Sequence, residues 1–245
     1  MISVKNLSIE SHKSLLVSQL NVHFRQGEFW AILGKNGSGK TTLLHTLAGF
    51  LNYKKGSIKI NDTELKSLNI LSRAQSISLL PQTLEASLNC TVAQSISYGR
   101  YPWHKNKYDK EAEENIINSA IKAMELEDIR NDSIQRISGG ELRKVEIATI
   151  LAQDSENMIL DEPLNHLDIT FRFKLMQQLK QLSKNKTIIM VTHDIQYVQE
   201  YCSHVIMLLD NSHTIIGQTN DIMTKENLNE MLGISLPNKF MKNTL

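Results

Sequence analysis

The sequence predicts an α/β fold with a core of buried parallel strands, an antiparallel β layer and an inserted helical block. Three features carry this expectation. Short apolar runs at residues 29–33, 158–160 and 187–191 have the composition of strands covered on both faces. The first thirty residues alternate instead, with Ile2, Val4, Leu7 and Ile9 followed by Leu20, Val22 and Phe24, as strands of an antiparallel layer do. Helical segments are concentrated between residues 85 and 153, upstream of the next strongly apolar strand.

In chain order, the strand at 29–33 leads through a glycine-rich turn into a helix at 41–48 that Gly49 can end. Residues 56–60, with the turn at Asn61-Asp62, extend the antiparallel layer, and the short strand at 77–80 stops at Pro81. Helices are expected at 91–97, 110–124 and 141–152. The strands at 158–160 and 187–191 are separated by a helix whose apolar side reads as Phe173, Met176, Leu179 and Leu182, which is βαβ logic. Strands near 205–209 and 214–216 and short helices from Thr219 complete the chain. The expected division is a core with its β subdomain at about 1–84 and 154–245, and a helical subdomain at about 85–153.

Residues 34–41, Gly34-Lys35-Asn36-Gly37-Ser38-Gly39-Lys40-Thr41, fill every fixed position of the phosphate-cradling pattern G-x-x-x-x-G-K-[ST], the P-loop. A strand before and a helix after place this loop at a helix N-terminus, where free N–H groups and the positive end of the helix dipole favour an anion. Glycines without Cβ let the backbone wrap the phosphates closely. Lys40 is expected to reach the β- and γ-phosphates and Thr41 to ligate Mg²⁺, with Thr42 beside it in the cradle. These residues imply a nucleoside triphosphate on a P-loop NTPase core.

Composition narrows the field further. Lys plus Arg (27) and Asp plus Glu (26) leave a net charge of +1 over 245 residues, so there is no electrostatic footprint for nucleic acid. No apolar run approaches the roughly eighteen residues a spanning helix needs, and no basic stretch precedes an apolar h-region at the N-terminus. The chain is therefore expected in the cytoplasm. Cys90 and Cys202 lack C-x-x-C spacing and are expected as reduced thiols. The eight histidines include no H-x-x-x-H pair, which leaves Mg²⁺ arriving with nucleotide as the metal to expect.

Two further segments carry chemistry. An apolar strand ends in Asp161-Glu162, the Walker B arrangement, and adjacent strand residues point to opposite sides, so the two acids can serve different roles. Asp161 is expected to hold Mg²⁺ and Glu162 to polarise the water that attacks the γ-phosphate. Ser138-Gly139-Gly140-Glu141 reads locally as a capping box opening a helix with Leu142, Val145, Ala148 and Ala152 on one stripe. Two glycines in a first turn cost up to about 1 kcal/mol each relative to alanine, yet bare N–H groups there suit a phosphate.

Together these residues resemble the nucleotide-binding subunit of an ATP-binding cassette transporter. In that family S-G-G-x is the signature motif and contacts the γ-phosphate of ATP held by the partner subunit's P-loop. The resemblance therefore implies a homodimer in which Ser138, Gly139 and Gly140 act across the interface. It covers nearly the whole chain: Gln82 in Leu79-Leu80-Pro81-Gln82 matches the Q-loop, Leu167-Asp168 matches the D-loop, and His193 in Val191-Thr192-His193-Asp194 matches the switch histidine. The roles implied are sensing of Mg²⁺ and the membrane partner for Gln82, bridging of the subunits for Asp168, and contact with the γ-phosphate for His193.

Thr91-Val92 followed by Tyr98-Gly99-Arg100-Tyr101-Pro102 is similar to a T-V…G-R-x-P segment of importer subunits for iron–siderophore complexes, haem and cobalamin. The plainer alternative is a Gly/Pro turn with a snorkelling arginine. Small size and the lack of a C-terminal regulatory domain agree with the importer branch. That branch implies permease subunits in the membrane, a periplasmic or surface substrate-binding protein, and a peripheral position on the cytoplasmic side. Three departures stand out: Ser11-His12 where the family places an adenine-stacking aromatic, Glu141 for the commoner glutamine, and Thr149 where an arginine often stands. The rival reading is a soluble cassette ATPase serving as an assembly switch, as in iron–sulfur cluster assembly. A DNA-repair ATPase would need a long coiled-coil insertion, which this sequence lacks.

Overall fold

The computed structural model describes residues 1–11, 14–82, 89–104, 109–235 and 237. The alternating N-terminal segment forms β1 (Ile2–Ser11) and β2 (Ser14–Phe24), paired antiparallel. Its apolar residues skip from Val4 to Leu7 and from Val17 to Leu20, each one residue out of period. Asn6 and Gln19, at φ 48° and 50°, take up the extra residue where the register shifts, so both apolar sets stay on one buried face. With β4 (Lys55–Ile60) and β5 (Thr63–Glu64) the layer runs β2-β1-β4-β5.

The second sheet contains β3 (Phe29–Gly34), β6 (Ile77–Leu80), β7 (Asn157–Asp161), β8 (Thr187–Val191), β9 (His204–Leu208) and β10 (Thr214–Gln218). Its order is β10-β9-β3-β8-β7-β6, parallel except for the β10–β9 pair. β3, β7 and β8 are buried at every residue, as their unbroken apolar runs require. Alternation splits the core in two. Phe29, Ala31 and Leu33 join one cluster with Ile188 and Met190; Trp30 and Ile32 join the other with Ile189, Val191 and the antiparallel layer.

Helix α1 (Lys40–Leu47) follows β3 and packs on the antiparallel-layer side; α2 (Ile70–Ser76) leads into β6. Helices α3 (Val92–Ser97), α4 (Lys110–Ala123) and α5 (Gly139–Gln153) precede β7. The expected boundary near residue 84 lies outside the described residues. After β7 come α6 (Ile169–Ser183), α7 (Ile195–Tyr201), α8 (Thr219–Ile222) and α9 (Lys225–Leu232). One expectation for α6 is corrected: Phe173 is half exposed and packs edge-on against Tyr197, while Phe171, Leu175, Met176 and Leu179 form the buried face. At about 100° per residue Phe173 lies roughly 200° from Phe171, too far round to share its face. Cys90 and Cys202 are free and buried, and burial pushes both thiols up. No helix among the described residues is long and apolar enough to cross a membrane.

Arg100 does not snorkel. It is 6% exposed, donates from Nε and Nη2 to the Glu113 carboxylate at 2.6 and 2.8 Å, and donates from Nη1 to the Ala152 carbonyl at 2.8 Å. This fork joins α4 to the end of α5 and holds the Glu113 carboxyl below its usual range. Gly99 lets this segment pack directly on the α5 backbone, since a Cβ there would sit 2.3 Å from the Thr149 carbonyl oxygen. Gly99→Ala should therefore destabilise the protein by about 1–3 kcal/mol through overpacking. Thermal unfolding checks this: Tm should fall by at least about 2 °C for a chain of this size, and an unchanged Tm would contradict the packing.

Candidate nucleotide-binding site

Parallel pairing lines up the C-terminal ends of four neighbouring strands, the edge where open α/β sheets bind ligands. β3 ends in the glycine loop, β8 leads to His193, β7 ends at Asp161 with Glu162 next, and β6 leads to Gln82. Asp161 pairs with Val191, and the Glu162 N–H donates to the Val191 carbonyl at 3.0 Å, which ties the acidic turn to the strand before His193. A cleft of about 510 Å³ opens at this edge, with Asn36, Gly37, Gly39, Lys40, Thr41 and Thr42 on one wall and Gln82 and Glu162 on the other.

Gly39, at φ 97°, sits where a Cβ would meet Leu16 of β2 at 2.9 Å; it turns the chain into α1 and leaves the helix start without a side-chain cap. The Lys40 side chain curls back, and its Nζ donates to the Gly34 and Lys35 carbonyls at 2.9 Å each. Burial lowers the Lys40 pKa, and the carboxylates of Glu162 and Asp161 oppose that shift. The Lys35 side chain is engaged elsewhere, pairing with Asp210 at 2.7 Å, so this residue offers the loop its backbone. The Ser38 hydroxyl is buried without a hydrogen-bond partner.

Asp161 is fully buried, and neither carboxylate oxygen finds a hydrogen-bond partner. Burial raises its pKa, with the nearby Thr41 side chain acting the other way. Unsatisfied buried carboxylate oxygens beside a hydroxyl are oxygen donors for a hard divalent cation, and the nearby lysine suits the phosphate such a cation carries, so the residues present fit Mg²⁺ with nucleotide.

Glu162 is held differently. Its Oε1 lies 3.0 Å from His193 Nε2, and its Oε2 accepts from Asn165 Nδ2 at 2.6 Å and from Gln82 Nε2 at 3.3 Å. Its backbone is left-handed at φ 48°, a conformation costing a non-glycine residue about 1 kcal/mol or more, so surrounding contacts must maintain it. Sequence reasoning missed Asn165, an amide three residues from the acid with no motif of its own. It also missed Arg143, which donates to the Asp161 and Glu162 carbonyls at 2.9 Å each.

Ser138 caps α5 with both halves of the capping box formed: Glu141 N–H donates to Ser138 Oγ, while Ser138 N–H and Oγ donate to Glu141 Oε2 at 2.7 Å. The Ser138 hydroxyl is the main cause of the lowered Glu141 pKa. Ser138 and Gly139 are exposed, nothing lies within 4 Å of where a Gly139 Cβ would be, and none of Ser138, Gly139 or Gly140 lines this chain's cleft. Asp168 caps α6, accepting from the Phe171 N–H at 2.9 Å, which lowers its pKa. On the cleft's remaining side stand Ser14 and Leu16; His12 lies outside the described residues, as does the Ser11 side chain.

The sequence profile of the family described as ABC transporter matches residues 17–165, more than half of the chain. The chain belongs to that family. It is 32% identical to the petrobactin import ATP-binding protein FpuC of Bacillus anthracis over 241 residues, 96% of this chain and 88% of the relative. An ABC transporter described as of metal-chelate type, solved in an inward-facing conformation, aligns with TM-score 0.80 and 26% identity over 95% of this chain and 88% of that one. A dimeric bacterial ABC transporter cassette aligns with TM-score 0.75 and 26% identity over 85% and 94%.

The buried, unpartnered Asp161 carboxylate makes a prediction about the nucleotide-free protein. Because folding raises its pKa, ionisation costs stability; the cost is absent below the ordinary carboxyl range, grows as pH rises and is complete above the raised value. Asp161→Asn should therefore raise Tm at neutral pH by a few degrees, about 1 kcal/mol or more. The gain should shrink towards pH 4 in unfolding scans across pH.

Proposed function

We propose that this chain hydrolyses ATP as the motor subunit of an importer for a metal chelate, an iron–siderophore complex being the preferred class. The single observation that carries the reading is the division of its catalytic parts. Lys40, Gln82 and Glu162 line one cleft, with Asp161 buried next to Glu162 and His193 against the Glu162 carboxylate, while the Ser138 helix start is exposed on the same chain and lies outside that cleft. A second copy, head to tail, completes each site by presenting Ser138, Gly139 and Gly140 to the γ-phosphate of ATP in the first copy's cleft, with Asp168 at the junction. The dimeric cassette among its structural relatives supports this arrangement.

In this reading the glycine loop and Lys40 bind the phosphates, and Thr41, Asp161 and Gln82 hold Mg²⁺, which when bound neutralises phosphate charge. Glu162 accepts a proton from the attacking water, its carboxylate aimed by Asn165 and His193. His193 also meets the γ-phosphate. ATP closes the dimer, and hydrolysis with product release reopens it. Residues of about 85–153 move as a helical subdomain and pass the motion through Gln82 to permease subunits on the cytoplasmic face. Outside, a periplasmic or surface binding protein supplies the chelate. The import relatives support transport over the assembly-switch reading.

Glu162→Gln should keep ATP binding and ATP-driven dimerisation while lowering turnover by at least about a hundredfold, since the proton acceptor is lost and the Mg²⁺ donors remain. Phosphate release and size-exclusion chromatography on one preparation check it; normal turnover would remove Glu162 from the mechanism. The coupled role predicts that the protein purifies from membranes with a polytopic permease. Recovery solely with a soluble scaffold would favour the switch.

A further inference from the structure

We propose that Arg143, in the helix that begins at Ser138, is a positioning residue for hydrolysis that holds the Glu162 backbone and thereby aims its carboxylate. Arg143 is 3% exposed. Its Nη2 donates to the carbonyls of Asp161 and Glu162, which flank the Glu162 Cα, at 2.9 Å each. Its Nη1 donates to the Pro81 carbonyl at 3.0 Å and to Glu146 Oε2 at 2.8 Å.

Fixing both peptide planes around the left-handed Glu162 residue fixes its Cα–Cβ direction, and with it the side chain that meets Gln82, Asn165 and His193. The contact at Pro81 sets the residue before Gln82, so one guanidinium locates two segments that converge on the cleft. The chemistry calls for arginine. A planar fork serves three carbonyls and a carboxylate at once, whereas lysine is a point donor on a flexible stem and glutamine offers one amide. A purely stabilising role explains less, because a buried ion pair adds little net stability over an apolar replacement, and two of the four bonds go to the acidic turn against one to Glu146.

The inference rests on the Glu162 assignment above, and the experiment separates the two. Arg143→Gln/Glu146→Gln, which leaves no unpaired carboxylate at position 146, is compared with Glu146→Gln alone in the full-length chain, each with and without Glu162→Gln. Steady-state and single-turnover phosphate release, the KM for ATP and ATP affinity are measured. The Arg143 change should lower kcat at least about tenfold, as expected for a misplaced base, with KM and affinity within about twofold. In the Glu162→Gln background it should cause no further loss, because the group it aims is gone. An unchanged kcat, or an equal loss on top of Glu162→Gln, would overturn the proposal. If the double variant does not fold, Arg143→Lys supplies the same comparison with the same expected and contrary outcomes. Normal turnover by Glu162→Gln alone would overturn the assignment of the base, and this proposal with it.

Discussion

The parallel register of β3, β8, β7 and β6 is the constraint on which the rest of this structure depends. Each strand end delivers one element to the same edge: the glycine loop, His193, the Asp161-Glu162 turn and Gln82. Parallel strands require crossover connections, and those crossovers are the helices that cover one face of the sheet, while the antiparallel layer and α1 cover the other. A strand slipped by one residue would exchange the two core faces and turn Asp161 out of its buried position. Packing of the core and placement of the site are thus one requirement.

The site is maintained against its own stability. Lys40 and Asp161 are ionisable groups taken from water, and burial shifts each pKa towards its neutral form. Glu162 keeps a left-handed backbone under a buried arginine. Such costs are offset by the apolar sheet around them, and they are relieved where a charged ligand supplies the missing partners. In the function proposed above, a nucleotide with its cation would do so at Asp161 and in the glycine loop.

Those parts of the fold that depend on local pattern were legible in the sequence. Apolar runs marked the buried strands, and the box formed by Ser138 and Glu141 marked the start of α5; the bulge between Val4 and Leu7, read in the sequence as plain alternation, emerged only in the paired strands. Long-range partners were not legible. Arg143 lies beside the apolar stripe of its helix with no motif of its own, and its acceptors are 18, 19 and 62 residues away. Arg100 was legible as part of the G-R-x-P segment but its partners were not, because Glu113 and Ala152 meet it only when α4 and α5 pack. Phe173 fitted a plausible stripe, but tertiary packing chose the neighbouring face.

The central claim is that each ATP is shared between two chains, with Lys40 acting in the chain that holds it and Ser138 acting across the dimer. Mixing Ser138→Arg subunits with Lys40→Ala subunits measures this most directly. Each variant alone should be inactive in ATP hydrolysis, and Ser138→Arg should still bind ATP as a monomer. In the mixed dimer both defects fall on one ATP, leaving the other site with an intact loop and an intact signature, so part of the activity should return. Loss of ATP binding by the Ser138→Arg monomer, with no recovery on mixing, would place Ser138 in its own chain's site and contradict the account.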